Sequence, residues 1–199
     1  MGLTLFYVTL AAEVLITVSV IVSIVLPQRR IWPPPRPRSW KGTLTWLLFV
    51  TSGAGTVCLG VVDWGSLALA PWIRFAVGAP LWCAGNVLAM WAMAVLGIAS
   101  SFGEEGQLVR RGPYRFSRNP QYVGFIAALV GWAFVASSGL TLVASLVGTV
   151  PLVLVPFAEE PWLAARLGAA YEEYRRTVPR FISVRACLKG RGQPDEGQS

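Results

Sequence analysis

Apolar residues gather in five long stretches, and the charged residues fall between them. Leu3 to Leu26 is interrupted by a single charged residue, Glu13. The next stretches run from about Leu44 to Val62, Ile73 to Ile98, Tyr122 to Ala136 and Leu140 to Phe157. A membrane-spanning helix needs about 20 apolar residues, within a range of roughly 17 to 25. The first three stretches meet that length. The last two are shorter and are separated by Ser137-Ser138-Gly139, which predicts a tight helical hairpin. The expected fold is an all-α membrane protein of about five transmembrane helices, with spans four and five as the hairpin. A sixth, C-terminal amphipathic helix lies on the cytoplasmic side. One integral-membrane domain is expected over residues 1–187, followed by a disordered cytoplasmic tail over 188–199, where apolar content vanishes.

Composition supports this picture. Hydrophobic residues make up 54% of the 199, and charged residues only 14%, well under the roughly 25% of a soluble domain. The net charge of +7 raises nucleic acid as a partner, but its distribution argues against that. Sixteen of the seventeen Lys and Arg residues fall in the first loop, the third loop and the C-terminal segment; only Arg74 lies elsewhere. Positive charge marks the cytoplasmic side, so the expected topology is N-terminus outside and C-terminus inside an inner membrane, which five crossings satisfy. Met1 to Thr4 carries no basic residue, so the first stretch reads as a retained span and not a signal peptide. The Ile31-Trp32-Pro33-Pro34-Pro35-Arg36-Pro37 segment reads as a stiff, extended, basic connector at the anionic lipid headgroups. Histidine is absent and Cys58, Cys83 and Cys187 are scattered, so no metal site is expected.

Two segments on the cytoplasmic side carry candidate chemistry. In the first, Gly112 to Gly124, Asn119-Pro120 is a helix-start signal, with Asn as cap and Pro at the first helical position. Such a helix start offers free N–H groups and positive potential to an anionic ligand group, with Arg115 and Arg118 adding charge. Gly124 has two equal readings, close approach of a ligand or helix packing in the small-residue stripe Gly124, Ala128 and Gly131. In the second segment, Glu159 and Glu160 follow the fifth stretch, as helix-dipole acids or as holders of a cation. Leu163, Leu167, Tyr171, Tyr174 and Val178 then recur at helical spacing, predicting one amphipathic face. Glu13 shares the ambiguity of the other acids but sits away from the cytoplasmic segments.

At these two segments the chain resembles the isoprenylcysteine carboxyl methyltransferase and phospholipid methyltransferase superfamily. The resemblance rests on Gly112-Pro113-Tyr114-Arg115 followed by Arg118-Asn119-Pro120-Gln121-Tyr122-Val123-Gly124. It rests also on Glu159-Glu160, Leu163, Leu167-Gly168, Tyr171, Tyr174 and Val178-Pro179-Arg180, with Leu96-Gly97 and Ser100 upstream. The resemblance implies S-adenosylmethionine as methyl donor and a lipid-soluble or small acceptor. On its terms Arg118, Asn119, Pro120, Tyr122, Gly124, Glu160, Tyr171 and Tyr174 bind the donor. It assigns catalysis to Glu159, Glu160 and Arg180, and orientation of an acidic acceptor to Arg175 or Arg180. The chain departs from the family where Asn119 replaces a histidine; Asn hydrogen-bonds but takes no proton at neutral pH. With no histidine in the chain, the Glu pair is the expected base for an amine acceptor. The competing expectations are an NADPH-dependent membrane reductase of the sterol-reductase type and a non-enzymatic membrane scaffold.

Overall fold

A computed structural model describes residues 2–34, 39–97 and 108–182. Outside them lie Ser100, Ser183, Cys187, the basic residues Arg36, Arg38, Arg185, Lys189 and Arg191, and the boundary expected at residues 187–188. The described chain is helical throughout: α1 (Gly2–Val25), α2 (Trp40–Val62), α3 (Ile73–Leu96), α4 (Pro120–Ala136), α5 (Gly139–Leu167) and α6 (Ala169–Thr177). Four of these, α1, α2, α3 and α5, are long and apolar enough to cross a membrane, and α4 is a shorter apolar helix of 17 residues.

Local sequence sets most boundaries. Ser39 caps α2 by accepting the Gly42 amide. The first turns of α3, Ile73–Gly78, are wound wide, with the Ala79 amide reaching back to the Arg74 carbonyl. Pro80 follows directly; its ring displaces the carbonyl four residues earlier and it has no N–H to give. In α5, Pro151, Pro156 and Pro161 lie inside one continuous helix of 29 residues, longer than the Leu140–Phe157 stretch suggested. A layer of roughly 30 Å at 1.5 Å per residue takes about 20 residues; counted from Gly139, it ends beside the Glu pair.

The helices alternate in direction. At one end the α4–α5 turn meets the loop after α2: the Gly65 and Leu67 amides bond the Ala136 and Ser137 carbonyls, each at 2.8 Å. Asp63 completes this end, accepting from Ser138 at 2.6 Å, Ser66 at 2.8 Å and the Leu140 amide at 3.2 Å. Burial pushes the Asp63 carboxyl up, but the Ser138 and Ser66 hydroxyls and the Leu140 and Gly139 amides outweigh it and hold the group below its ordinary value. The depressed value gives stability that is complete above the ordinary carboxylate range and lost as pH falls through the folded value. Asp63→Ala is expected to cost about 1 kcal/mol at pH 7, as a lost cap does. The deficit should shrink as pH falls through the depressed folded value, where wild type loses the charge too.

Small residues let α3 and α4 close on each other. A Cβ on Gly85 would stand 2.6 Å from the Gly124 carbonyl oxygen, and one on Gly124 would stand 2.6 Å from the Ala89 amide nitrogen. The packing reading of Gly124 is the one the geometry supports. Across the bundle α1 packs between α2 and α5, with Ile16, Val20, Leu152, Val155 and Ala158 in the core.

Candidate functional site

The opposite end gathers the third loop, the end of α5 and the chain after α6. Glu159 projects inward from α5. Its Oε1 accepts from the Tyr122 hydroxyl at 2.8 Å and from the Trp32 indole N–H at 2.7 Å. Tyr122 stands in the first turn of α4 and is buried, as is Trp32. Trp32 is held in place because Ser23, in the last turns of α1, accepts both the Ile31 and Trp32 amides, while its ring meets Phe49 edge-on. The Ile31-to-Pro34 segment is therefore folded beneath the bundle with Trp32, Pro33 and Pro34 buried. The surface-connector reading of this part of the loop is corrected.

The neighbouring Glu160 has different surroundings. Arg180 grips it with two hydrogen bonds, Nε to Oε1 at 2.9 Å and Nη2 to Oε2 at 2.7 Å. Arg118 adds a third contact, Nη2 to Oε1 at 3.2 Å. The Arg180 guanidinium also lies over the Phe157 ring at 3.9 Å, and its bonds to Glu160 push it further above its ordinary value. The Arg118 side chain is 9% exposed, and among the described residues its Nε and Nη1 have no partner. The two acids thus divide: Glu160 is neutralised by two guanidinium groups, and Glu159 is held by aromatic donors.

Residues 178–182 form a strap across the third loop. The Arg118 amide bonds the Pro179 carbonyl at 2.9 Å, and the Ser117 hydroxyl and Asn119 Nδ2 both donate to the Arg180 carbonyl. Asn119 occupies the cap position of α4 without a capping bond from its side chain; the strap carbonyl takes that donor. Pro120 fills the first helical position as expected. In α6, Tyr174 donates to the Tyr114 carbonyl at 2.8 Å, and Tyr171 meets Tyr174 edge-on. Burial pushes the Tyr171 hydroxyl up to about 12, with the Glu160 charge adding to it. The amphipathic face expected from Leu163 to Val178 is split at Gly168, whose φ of 58° and ψ of −139° end α5 and begin α6 in a new direction. Tyr171 and Tyr174 turn inward from α6, whereas Arg175 lies on its exposed side, paired with Glu172 at 3.1 Å. Arg115 is also exposed. Neither reaches the Glu pair.

From Tyr122 a cleft of about 440 Å³ runs toward the far end of the bundle, a size that holds a small-molecule ligand. The two flanking helices α2 and α3 make no extensive contact with each other. Trp46, Phe49 and Val50 form one wall, Trp82 and Met93 the other, and Phe125, Leu129 and Trp132 of α4 the floor. The cleft is apolar apart from a few groups, among them Gln121, whose buried Oε1 has no partner among the described residues. Gly124 faces α3 and does not line it. Sequence reasoning missed Trp32 and the α2 wall; the only signal was an isolated tryptophan before the proline run.

Fold and site together define an integral membrane protein with an apolar cleft, lined by the two residues, Trp32 and Tyr122, that donate to one acid of the adjacent pair. Residues 73–170 match the phospholipid methyltransferase family, an interval that holds the α4–α5 hairpin, the Gly112–Gly124 segment and the Glu pair. Over 109 residues the chain is 33% identical to a protein-S-isoprenylcysteine O-methyltransferase of Schizosaccharomyces pombe, covering 51% of this chain and 46% of that protein. Over 111 residues it is 28% identical to a steroid 5-alpha-reductase of Solanum lycopersicum, covering 56% of this chain and 43% of that one. The chain spans less than half the length of either relative. No solved structure matches it significantly. The family match and the Schizosaccharomyces pombe relative support the superfamily of the phospholipid and isoprenylcysteine methyltransferases.

Proposed function

We propose that the chain transfers a methyl group from S-adenosylmethionine to a lipid-soluble or small acceptor (a carboxylate, amine or thiol) at the cytoplasmic membrane face. The observation that carries this reading is Glu159, a carboxylate held by Trp32 and Tyr122, both of which line an apolar cleft. When bound, S-adenosylmethionine supplies an electrophilic methyl group on a sulfonium, together with an ammonium and a carboxylate. The residues present fit those charges. Glu159 is the acid for the cationic part, and the Trp32 and Tyr122 rings favour a cation near their faces. The unpartnered Nε and Nη1 of Arg118 suit the carboxylate. Glu160 holds Arg118 and Arg180 in position, and Tyr171 and Tyr174 close the side toward α6. An in-line displacement needs positioning above all, and a buried aromatic frame supplies it. An amine acceptor that gains a methyl group must lose a proton, and Glu159 is the carboxylate within reach to take it. A carboxylate or thiolate acceptor needs no base. The gap between α2 and α3 gives a lipid acceptor a lateral route from the bilayer. The basic residues concentrated at this end support its placement on the cytoplasmic side.

The steroid reductase similarity favours a second reading, an NADPH-dependent reductase. A polyanionic dinucleotide needs several available cations, and at the centre Arg180 is committed to Glu160 by two bonds while Arg118 offers only its Nε and Nη1. Thermal unfolding of the purified chain in detergent separates the readings. S-adenosylhomocysteine at a hundred times its dissociation constant is expected to stabilise by about 2.7 kcal/mol, and NADPH is expected to leave the melt unchanged. Stabilisation by NADPH alone would reverse the assignment.

A further inference from the structure

Near the middle of the 24-residue α3 stands an amide that the proposed methyl transfer does not use. Asn86 lines the cleft and is only half-buried, so it stays open to whatever occupies that space. Its Nδ2 donates to the Trp82 carbonyl, one turn back on the same helix, at 2.8 Å. A carbonyl accepts only from an N–H, so this bond fixes the amide nitrogen and leaves Oδ1 as the free atom. Among the described residues nothing donates to Oδ1. An asparagine in a membrane span ordinarily bonds across to a neighbouring helix, and an amide oxygen without a donor in an apolar layer is costly. The hydroxyls of α2 that line the cleft do not supply the bond. That of Ser52 donates to Glu13 at 3.3 Å and that of Thr56 to the Ser52 carbonyl at 2.9 Å, and a hydroxyl has one proton. The Trp132 indole N–H goes to the Thr56 carbonyl at 3.2 Å. The donor that Oδ1 lacks has to come with the occupant.

We propose that Asn86 is a specificity-determining residue whose Oδ1 accepts a hydrogen bond from an O–H or N–H on an otherwise apolar molecule in the cleft. The depth follows from how α3 and α4 pack. A Cβ on Gly85 would stand 2.5 Å from the Ala128 amide nitrogen, and one on Gly124 would stand 2.6 Å from that of Ala89. Asn86 is therefore level with the second turn of α4, roughly 5 Å further into the bundle than Tyr122 in the first turn. An ether or ester oxygen at this depth would face the amide oxygen and leave it unpaired. The donor is a neutral one, because a neutral amide does not repay the cost of bringing a charge to this depth. A space of about 440 Å³ fits a small molecule. A helix of a second copy, about 10 Å across, would fill it with a single turn. That the occupant is the methyl acceptor rests on the methyl-transfer reading; the demand for a donor at Asn86 does not.

The test uses the full chain in detergent and follows bromine quenching of tryptophan emission, since Trp46, Trp82 and Trp132 line the cleft. One pair of probes is an ω-bromo-undecanol and its methyl ether. The other is the N-methylamide of the same bromo chain and its N,N-dimethyl counterpart, so that O–H and N–H are separated as the source. At least one donor-bearing probe is expected to bind about fivefold more tightly than its blocked counterpart, the size of one net hydrogen bond. Asn86→Leu is expected to bring that ratio to about one while the blocked probe binds as in wild type. Asn86→Ala should give the same loss without added bulk, and Ser52→Ala should leave the ratio as it stands. Equal affinities within both pairs in wild type, or a preference that survives both Asn86 variants, would overturn the proposal. A wild-type dimer that Asn86→Leu dissociates would overturn it too, by assigning the oxygen to a second copy. The S-adenosylhomocysteine melt on the same samples reports the methyl-transfer reading separately. A missing shift in wild type beside a preference that depends on Asn86 sinks that reading and supports this one.

Discussion

Glu160→Ala is expected to destabilise the protein by about 3–5 kcal/mol, the cost of breaking a buried ion pair from one side. The cost comes from what is left behind. Arg118 is 9% exposed and already carries two unpartnered nitrogens; without Glu160 its charge is buried with no counter-ion. Arg180 loses its bidentate partner at the same time, and its carbonyl anchors the strap to Ser117 and Asn119. The third loop and the strap should therefore loosen together. Glu160→Gln keeps the shape and one acceptor, so it should fall between the variant and wild type. Melts in detergent check the order, and hydrogen exchange at residues 114–119 and 178–182 checks where the loosening occurs. An alanine variant that melts with wild type would mean that Glu160 contributes nothing net to the fold.

The order of the helices was readable because membrane spans obey one rule, an apolar run of sufficient length, and loop charges obey another. Both rules point to five apolar segments; among the described residues four of them are long and apolar enough to cross a membrane, and α4 is shorter. The meeting of the two motifs was readable for the same reason: with α4 and α5 joined by a short turn, the start of α4 and the end of α5 must fall at one end. What the pattern did not reveal depends on bonds between distant residues. Asn119 has the identity of a cap, yet its side chain serves the Arg180 carbonyl sixty-one residues away. Gly168 stands in a run with perfect helical spacing, and only its positive φ divides that run. Trp32 looked like part of a connector, because nothing local to Ile31–Pro34 announces that Ser23 will take its amide and Glu159 its indole. Hydropathy periodicity reports burial along one helix; it is blind to a hydrogen bond between two loops.

Adjacent acids on one helix turn lie about 100° apart, and that angle gives Glu159 and Glu160 separate tasks. Glu160 turns toward the guanidiniums and secures the strap, so its loss should be read first in stability. Glu159 turns toward Tyr122 and Trp32 at the end of the cleft, so its loss should be read first in chemistry. Glu159→Gln keeps an acceptor for both donors, at 2.8 and 2.7 Å in the wild type, and removes only the negative charge. If that charge faces a sulfonium or ammonium, methyl transfer to an extracted lipid acceptor should fall by about 10²–10³-fold, as when one preorganised electrostatic contact is deleted. The stabilisation by S-adenosylhomocysteine, which has lost the sulfonium charge but keeps the ammonium, should fall less. That difference distinguishes recognition of the sulfonium from recognition of the amino group: an equal loss of both would place Glu159 at the ammonium. The melting temperature without ligand should remain close to wild type. A Glu159→Gln protein that retains full transfer would remove the carboxylate from the reaction, and with it the observation on which the methyltransferase reading stands.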